Sequence, residues 1–124
     1  MKNVISEKAP NAVGPYSHAV KYKGLVFTAG QIAINPKTNM LAEGDITVQA
    51  KQTLENLKVI LEESDSSLDR AIKVSVFLKN LKDFEKMNEV YGSYFKNKPA
   101  RSTVEVSNLP KGALIEMDVI AECD

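Results

Sequence analysis

The spacing of apolar and polar positions predicts two helices and a sheet. After Asp45, the residues Ile46, Ala50, Thr53, Leu54, Leu57, Ile60 and Leu61 recur at three- and four-residue intervals. That is the period of an amphipathic helix, with Asp45 placed to cap its first turn and an end near residues 64–67. A second helix begins about Asp83 and presents Phe84, Met87, Tyr91, Tyr94 and Phe95 on one side, with Gly92 a tolerated weak point. Between the two, residues 71–78 alternate as a strand does. Ile72, Val74, Val76 and Leu78 share one side, and Lys73, Ser75 and Phe77 the other.

Residues 25–30 (LVFTAG) are apolar on both alternating sides, which predicts a strand covered on both faces. Residues 18–22 form the strand before it, turning at Lys23-Gly24, and a shorter strand covers Val4 and Ile5. The stretch QIAINPKTNMLAEG is rich in turn formers and reads mostly as a loop. The last third reads as a hairpin turning through residues 109–112. In its first strand Val104 and Val106 oppose Arg101, Thr103 and Glu105. In its second, Ile115, Met117, Val119 and Ala121 form the core side, with Leu114, Glu116, Asp118 and Ile120 opposite. Pairing those strands would put Arg101, Thr103 and Glu116 on one face away from the core.

These elements predict an α+β fold in a single domain over residues 1–124, with a mixed sheet of about six strands and two helices on one face. Phe77, Leu114, Ile120 and residues 25–30 place apolar material on the other face as well. A homo-oligomer packing sheet against sheet would cover it.

Composition narrows the function. Sixteen Lys and Arg balance sixteen Asp and Glu, for a formal net charge of zero. Nothing in that balance draws the chain toward nucleic acid or anionic lipid. One cysteine, Cys123, allows no intrachain disulfide, and one histidine, His18, cannot anchor the usual Cys/His zinc site. No apolar leader opens the chain and no stretch approaches the roughly 20 apolar residues of a membrane span, so the expected location is the cytoplasm.

Candidate chemistry therefore rests on other groups. Arg101 follows Pro99-Ala100 at a strand start, where its planar fork could grip a carboxylate, or merely pair with Glu116 or Asp118. Glu116 interrupts an apolar run, and partial burial would raise its pKa toward neutrality; a solvated outer residue is the alternative. Asn88 lies near the apolar stripe of the second helix, as a structural cross-link or a ligand contact. Gly14-Pro15-Tyr16-Ser17-His18 is a rigid turn in which Tyr16 could wall a pocket or simply pack. Gly30 ends a buried strand, where a missing side chain would admit a ligand, or mark no more than a strand end. His18 reads as a satisfied strand residue rather than a base.

Four blocks, GPYSHA, TAGQIA, VFLKNLKDFEKMNEVYGSYF and PARSTVEVSNLPKGALIEMDVIA, resemble the RidA/YjgF family, also called L-PSP or reactive-intermediate deaminases, in the family's order along nearly the whole chain. The resemblance implies a chorismate-mutase-like fold and a homotrimer whose sheets form a central barrel, with three clefts between subunits. In the arginine-retaining subgroup it implies hydrolysis of 2-imino acids such as 2-iminobutanoate and 2-iminopropanoate to 2-keto acids and ammonia, with no metal or cofactor. These imines arise from pyridoxal-phosphate dehydratases. Carried over by position, Arg101 clamps the substrate carboxylate and Glu116 positions or activates water. Tyr16, Gly30, Asn88 and the Thr103 backbone border the ligand, as does Ala29. The sequence departs from the family pattern at Ala29, where serine is common, at His18, for glutamine, and at Thr103, for cysteine. Other roles compatible with the same cleft are a non-catalytic 2-keto acid sensor and, with less support from the residues, an endoribonuclease or translation inhibitor or a holdase chaperone.

Overall fold

In the computed structural model, which describes residues 1–124, the longer helix α1 runs over Ile46–Glu63. Asp45 caps it: its carboxylate accepts the Val48 N–H at 3.2 Å. Ile46, Ala50, Leu54, Leu57, Ile60 and Leu61 are buried along one stripe, as the period requires. The second helix, α2 (Phe84–Tyr94), buries Met87, Val90 and Tyr91 and stops just before the buried Phe95.

Eight strands accompany the helices: β1 (Lys2–Val4), β2 (Ala19–Tyr22), β3 (Leu25–Thr28), β4 (Ile34–Asn35), β5 (Met40–Leu41), β6 (Ala71–Leu78), β7 (Ala100–Glu105) and β8 (Ile115–Glu122). Six of them form one sheet in the order β1-β2-β3-β8-β6-β7, with β6 and β7 parallel and every other pair antiparallel. Lys23 and Gly24, at φ 50° and 77°, make the left-handed two-residue turn that joins β2 to β3. Val26, Val74, Val76, Leu78, Ile115, Met117, Val119 and Ala121 are all buried beneath the helices.

The C-terminal hairpin does not form. β6 separates β7 from β8, because the chain leaves β6, passes through α2 and returns as β7 parallel to it. A parallel return needs such a crossover, and α2 supplies it. Arg101 and Thr103 consequently stand level with Val74 and Val76, on the helix side. Glu116 stands level with Phe77, on the opposite side. Alternation within each strand holds as expected, whereas the shared face expected for Arg101, Thr103 and Glu116 does not.

Two smaller differences have local causes. An irregularity between Ala71 and Lys73 turns Ala71 inward and leaves Ile72 43% exposed, out of line with Val74 and Val76. The long loop after Gly30 also contains a short ladder, β4 against β5.

The face away from the helices keeps apolar side chains. Phe27 and Val104 are 40% and 46% exposed, with Phe77 and Ile120 half-buried among them. No helix is long and apolar enough to cross a membrane.

Candidate active site

The residues singled out above gather into two groups. Arg101 belongs to the first, at the sheet edge. Its guanidinium donates from Nη1 to Asn88 Oδ1 at 2.8 Å and lies over two rings of α2, 4.7 Å from the Tyr91 centroid and 5.5 Å from that of Phe84. Phe84, Asn88 and Tyr91 are spaced four and three residues apart, so one face of α2 carries all three. Stacking and one hydrogen bond hold the guanidinium while leaving further N–H donors unused. An open cavity of about 620 Å³ beside it is lined by Tyr91, Phe95, Lys96, Lys98 and Pro99.

Two hydroxyls near this arginine lack partners. Tyr91 Oη and Thr103 Oγ1 are buried and accept or donate no hydrogen bond. Burial pushes the Tyr91 phenol above its ordinary range, against the opposing pull of the Arg101 charge. With its further donors unused and its plane held by the rings, the Arg101 guanidinium suits a small anion such as a carboxylate.

Glu116 belongs to the second group, in the middle of the sheet. Burial, reinforced by the neighbouring Asp118 charge, raises its pKa above the ordinary carboxylate range. Its carboxylate lies against Gly30: a Cβ there would stand 2.6 Å from Oε2. The bare glycine therefore makes room first for Glu116 itself. Tyr16, Gly30 and Glu116 share a more enclosed cavity of about 290 Å³ with Pro10, Val13, Ile32, Ile34 and Lys111. Tyr16 also borders a neighbouring open depression that contains Ala29 and Phe27. The Ala29 N–H donates to the His18 carbonyl at 2.8 Å.

The two groups lie apart in one chain. Arg101 is level with Val74, and Glu116 with Phe77, two strands over from β7 and on the other face. At about 3.3 Å per residue and about 4.8 Å per strand, the offset is about 10 Å in each direction before the thickness of the sheet is added. No three His, Cys, Asp or Glu side chains gather closely enough to hold a metal ion.

Sequence reasoning identified Arg101, Asn88 and Glu116 but took Phe84 and Tyr91 only as core. Their spacing around Asn88 carried the signal, since a polar residue set between aromatics on one helix face marks where a cation can dock. The buried amides of α1 were missed altogether. Asn56 Nδ2 donates to the carbonyls of Ile32 and Ile34 at 3.1 and 2.9 Å, and Gln49 Oε1 accepts the Leu114 N–H at 2.8 Å. They hold backbone on either side of the Glu116 cavity.

Two helices on one side of a mixed six-stranded sheet make an α+β protein. The solved YjgF gene product from E. coli superimposes with a TM-score of 0.93 at 40% identity, covering 98% of each chain. E. coli TdcF with bound serine gives 0.94 at 38% identity, over the full length of both. A RutC family protein from Pyrococcus abyssi is 55% identical over 119 residues, 95% of this chain and 94% of that one. The family model described as Endoribonuclease L-PSP matches residues 6–123. The chain belongs to that family, the RidA/YjgF family.

Proposed function

We propose that the chain is a hydrolase of small 2-imino acids, 2-iminobutanoate and 2-iminopropanoate among them, which releases 2-keto acids and ammonia. We further propose that it works as a homotrimer, with Arg101, Asn88 and the Thr103 backbone of one chain facing Tyr16, Ala29, Gly30 and Glu116 of the next. One observation carries this reading: an anion clamp and a raised carboxylate, each fully built, sit on opposite faces of the sheet and too far apart for one small substrate. Two chains can bring them together, and the exposed apolar sheet face supplies a surface on which to do so.

The chemistry needs little more. An iminium carbon is already electrophilic, so no covalent nucleophile is required. Arg101 holds the substrate carboxylate through its free N–H donors. Glu116, in its ionised form, takes a proton from water as the oxygen bonds to the imine carbon; its raised pKa keeps it strong enough as a base and able to return the proton. Glu116 then gives that proton to the nitrogen of the tetrahedral amino alcohol. The C–N bond breaks with its electron pair leaving on ammonia, and the hydroxyl proton passes to the departing ammonia as the carbonyl of the keto acid forms. Ammonium leaves and Glu116 is ionised again. Positioning, rather than a special reagent, accounts for the acceleration. A family structure holding serine is consistent with a site for small amino-acid-like carboxylates.

The test couples a threonine dehydratase to semicarbazide trapping of its free imine. The wild-type chain should divert imine from the trap and hasten 2-ketobutyrate release, and Arg101→Ala should not. If Glu116→Gln retains full turnover, the role given to that carboxylate is wrong. If the wild-type chain equals buffer while still binding 2-ketobutyrate, the cleft is a sensor and not an enzyme.

A further inference from the structure

The segment from Ile5 to Val13 lies outside every helix and strand and makes no backbone–backbone hydrogen bond. It nevertheless supplies Pro10, Asn11 and Val13 to the cavity that holds Glu116. Buried backbone without such bonds must be held by side chains. One side chain does most of this. His18, 2% exposed, accepts the Ser6 N–H at Nδ1 (2.9 Å), and its Nε2 lies 2.6 Å from the Pro10 carbonyl oxygen. A carbonyl only accepts, so Nε2 carries the proton and Nδ1 is bare. The same residue's carbonyl accepts from Ala29 N–H, next to Gly30, and Tyr16 lies two positions before it. The ring and backbone of His18 thus tie together three pieces of the wall around Glu116.

We propose that His18 is a positioning residue: in its Nε2–H tautomer it fixes the Ser6–Pro10 segment against the Ala29-Gly30 strand end and so sets the shape of the Glu116 cavity. It touches no reacting atom in this role. A side chain there needs one acceptor and one donor at the reach of a ring, a requirement that glutamine meets and leucine does not.

Because His18 is the only histidine, ring 15N spectra of the wild-type protein assign themselves. They should show a protonated Nε2, a bare Nδ1 and a coupling across the hydrogen bond to the Ser6 amide. His18→Leu leaves the Ser6 N–H and the Pro10 carbonyl unpaired, so exchange of the Ser6 amide should quicken at least about tenfold. The Michaelis constant for imine should rise by about tenfold, with kcat nearly unchanged. His18→Gln should restore both. A protonated Nδ1, wild-type exchange and KM in His18→Leu, or a His18→Gln chain no better than the leucine variant would each overturn the proposal. The ring spectrum needs no variant, so it decides even if His18→Leu fails to fold. The kinetic arm rests on the imine-hydrolase reading, whereas the spectrum and exchange arms do not. An inactive wild type that keeps the expected spectrum and exchange pattern would remove that reading and leave this one standing.

Discussion

Arg101→Ala and Glu116→Gln, each nearly inactive alone, should regain turnover when the two chains are assembled together. Each variant destroys one half of every site it enters but leaves the other half intact. If a site takes its arginine from one chain and its carboxylate from the next, chains mixed at random in equal amounts join an intact Arg101 to an intact Glu116 at roughly one interface in four. The background against which this appears is low. Losing the charge-assisted bonds of Arg101 to a desolvated carboxylate costs about 3 kcal/mol, about a hundredfold in kcat/KM. The unselected co-refolded sample should therefore show about a quarter of wild-type activity, and mixed trimers selected through both tags about a third, set against about a hundredth for Arg101→Ala alone. The assay is the coupled trap described above, run on chains co-expressed under two tags and purified through both in sequence, or unfolded together and refolded. Refolding the variants separately and mixing them afterwards is the control. Activity in the co-assembled sample no higher than the mean of the two variants would refute the shared site and require Arg101 and Glu116 to serve separate functions.

Other outcomes follow from single contacts. Gly30→Ala places a methyl group 2.6 Å from Glu116 Oε2; the flexible carboxylate should swing away, so kcat should fall by about tenfold or more while Tm moves little. Asn88→Ala removes the hydrogen bond that orients Arg101 and should raise KM by about tenfold, with the fold unchanged by circular dichroism. Burial holds both Glu116 and Asp118 above their ordinary range, so the folded chain favours their protonated forms and loses stability as pH rises through that range. Glu116→Gln should accordingly raise Tm near neutral pH, with the gain vanishing below about pH 4. For the same reason the acid limb of the wild-type rate profile should have its midpoint above the ordinary glutamate value of 4.5.

What the sequence disclosed was local. The α1 stripe, the Asp45 cap and the Lys23-Gly24 turn depend on neighbours within a few residues, and all three stand as expected. Alternation along β8 also holds, with Ile115, Met117, Val119 and Ala121 inward. The partner of β7 depends on residues far along the chain, and periodicity has no access to it. Val104 and Arg101 alternate identically whether the neighbouring strand is β8 in a hairpin or β6 across a helix. That single ambiguity moved Arg101 and Thr103 to the wrong side of the sheet and hid the separation of the two half-sites. Family resemblance pointed to Arg101 and Glu116 together; the topology puts them on opposite faces of the sheet, two strands apart. His18 was legible only as a lone satisfied histidine, because its partners, Ser6 and Pro10, lie in a stretch with no pattern at all.

The strand order has a consequence for how the molecule is made. β8, last in the chain, occupies the seam between β3 and β6. During synthesis the N-terminal strands and the β6-α2-β7 unit emerge first, and in the finished sheet the two are not neighbours. Until the final strand arrives, a slot one strand wide separates them, bordered by two bare hydrogen-bonding edges. Bare edges of that kind can pair with an extended peptide, and the strand that fills the gap correctly, β8, also carries Glu116. Closure of the sheet and delivery of Glu116 to its cavity therefore depend on the same last strand.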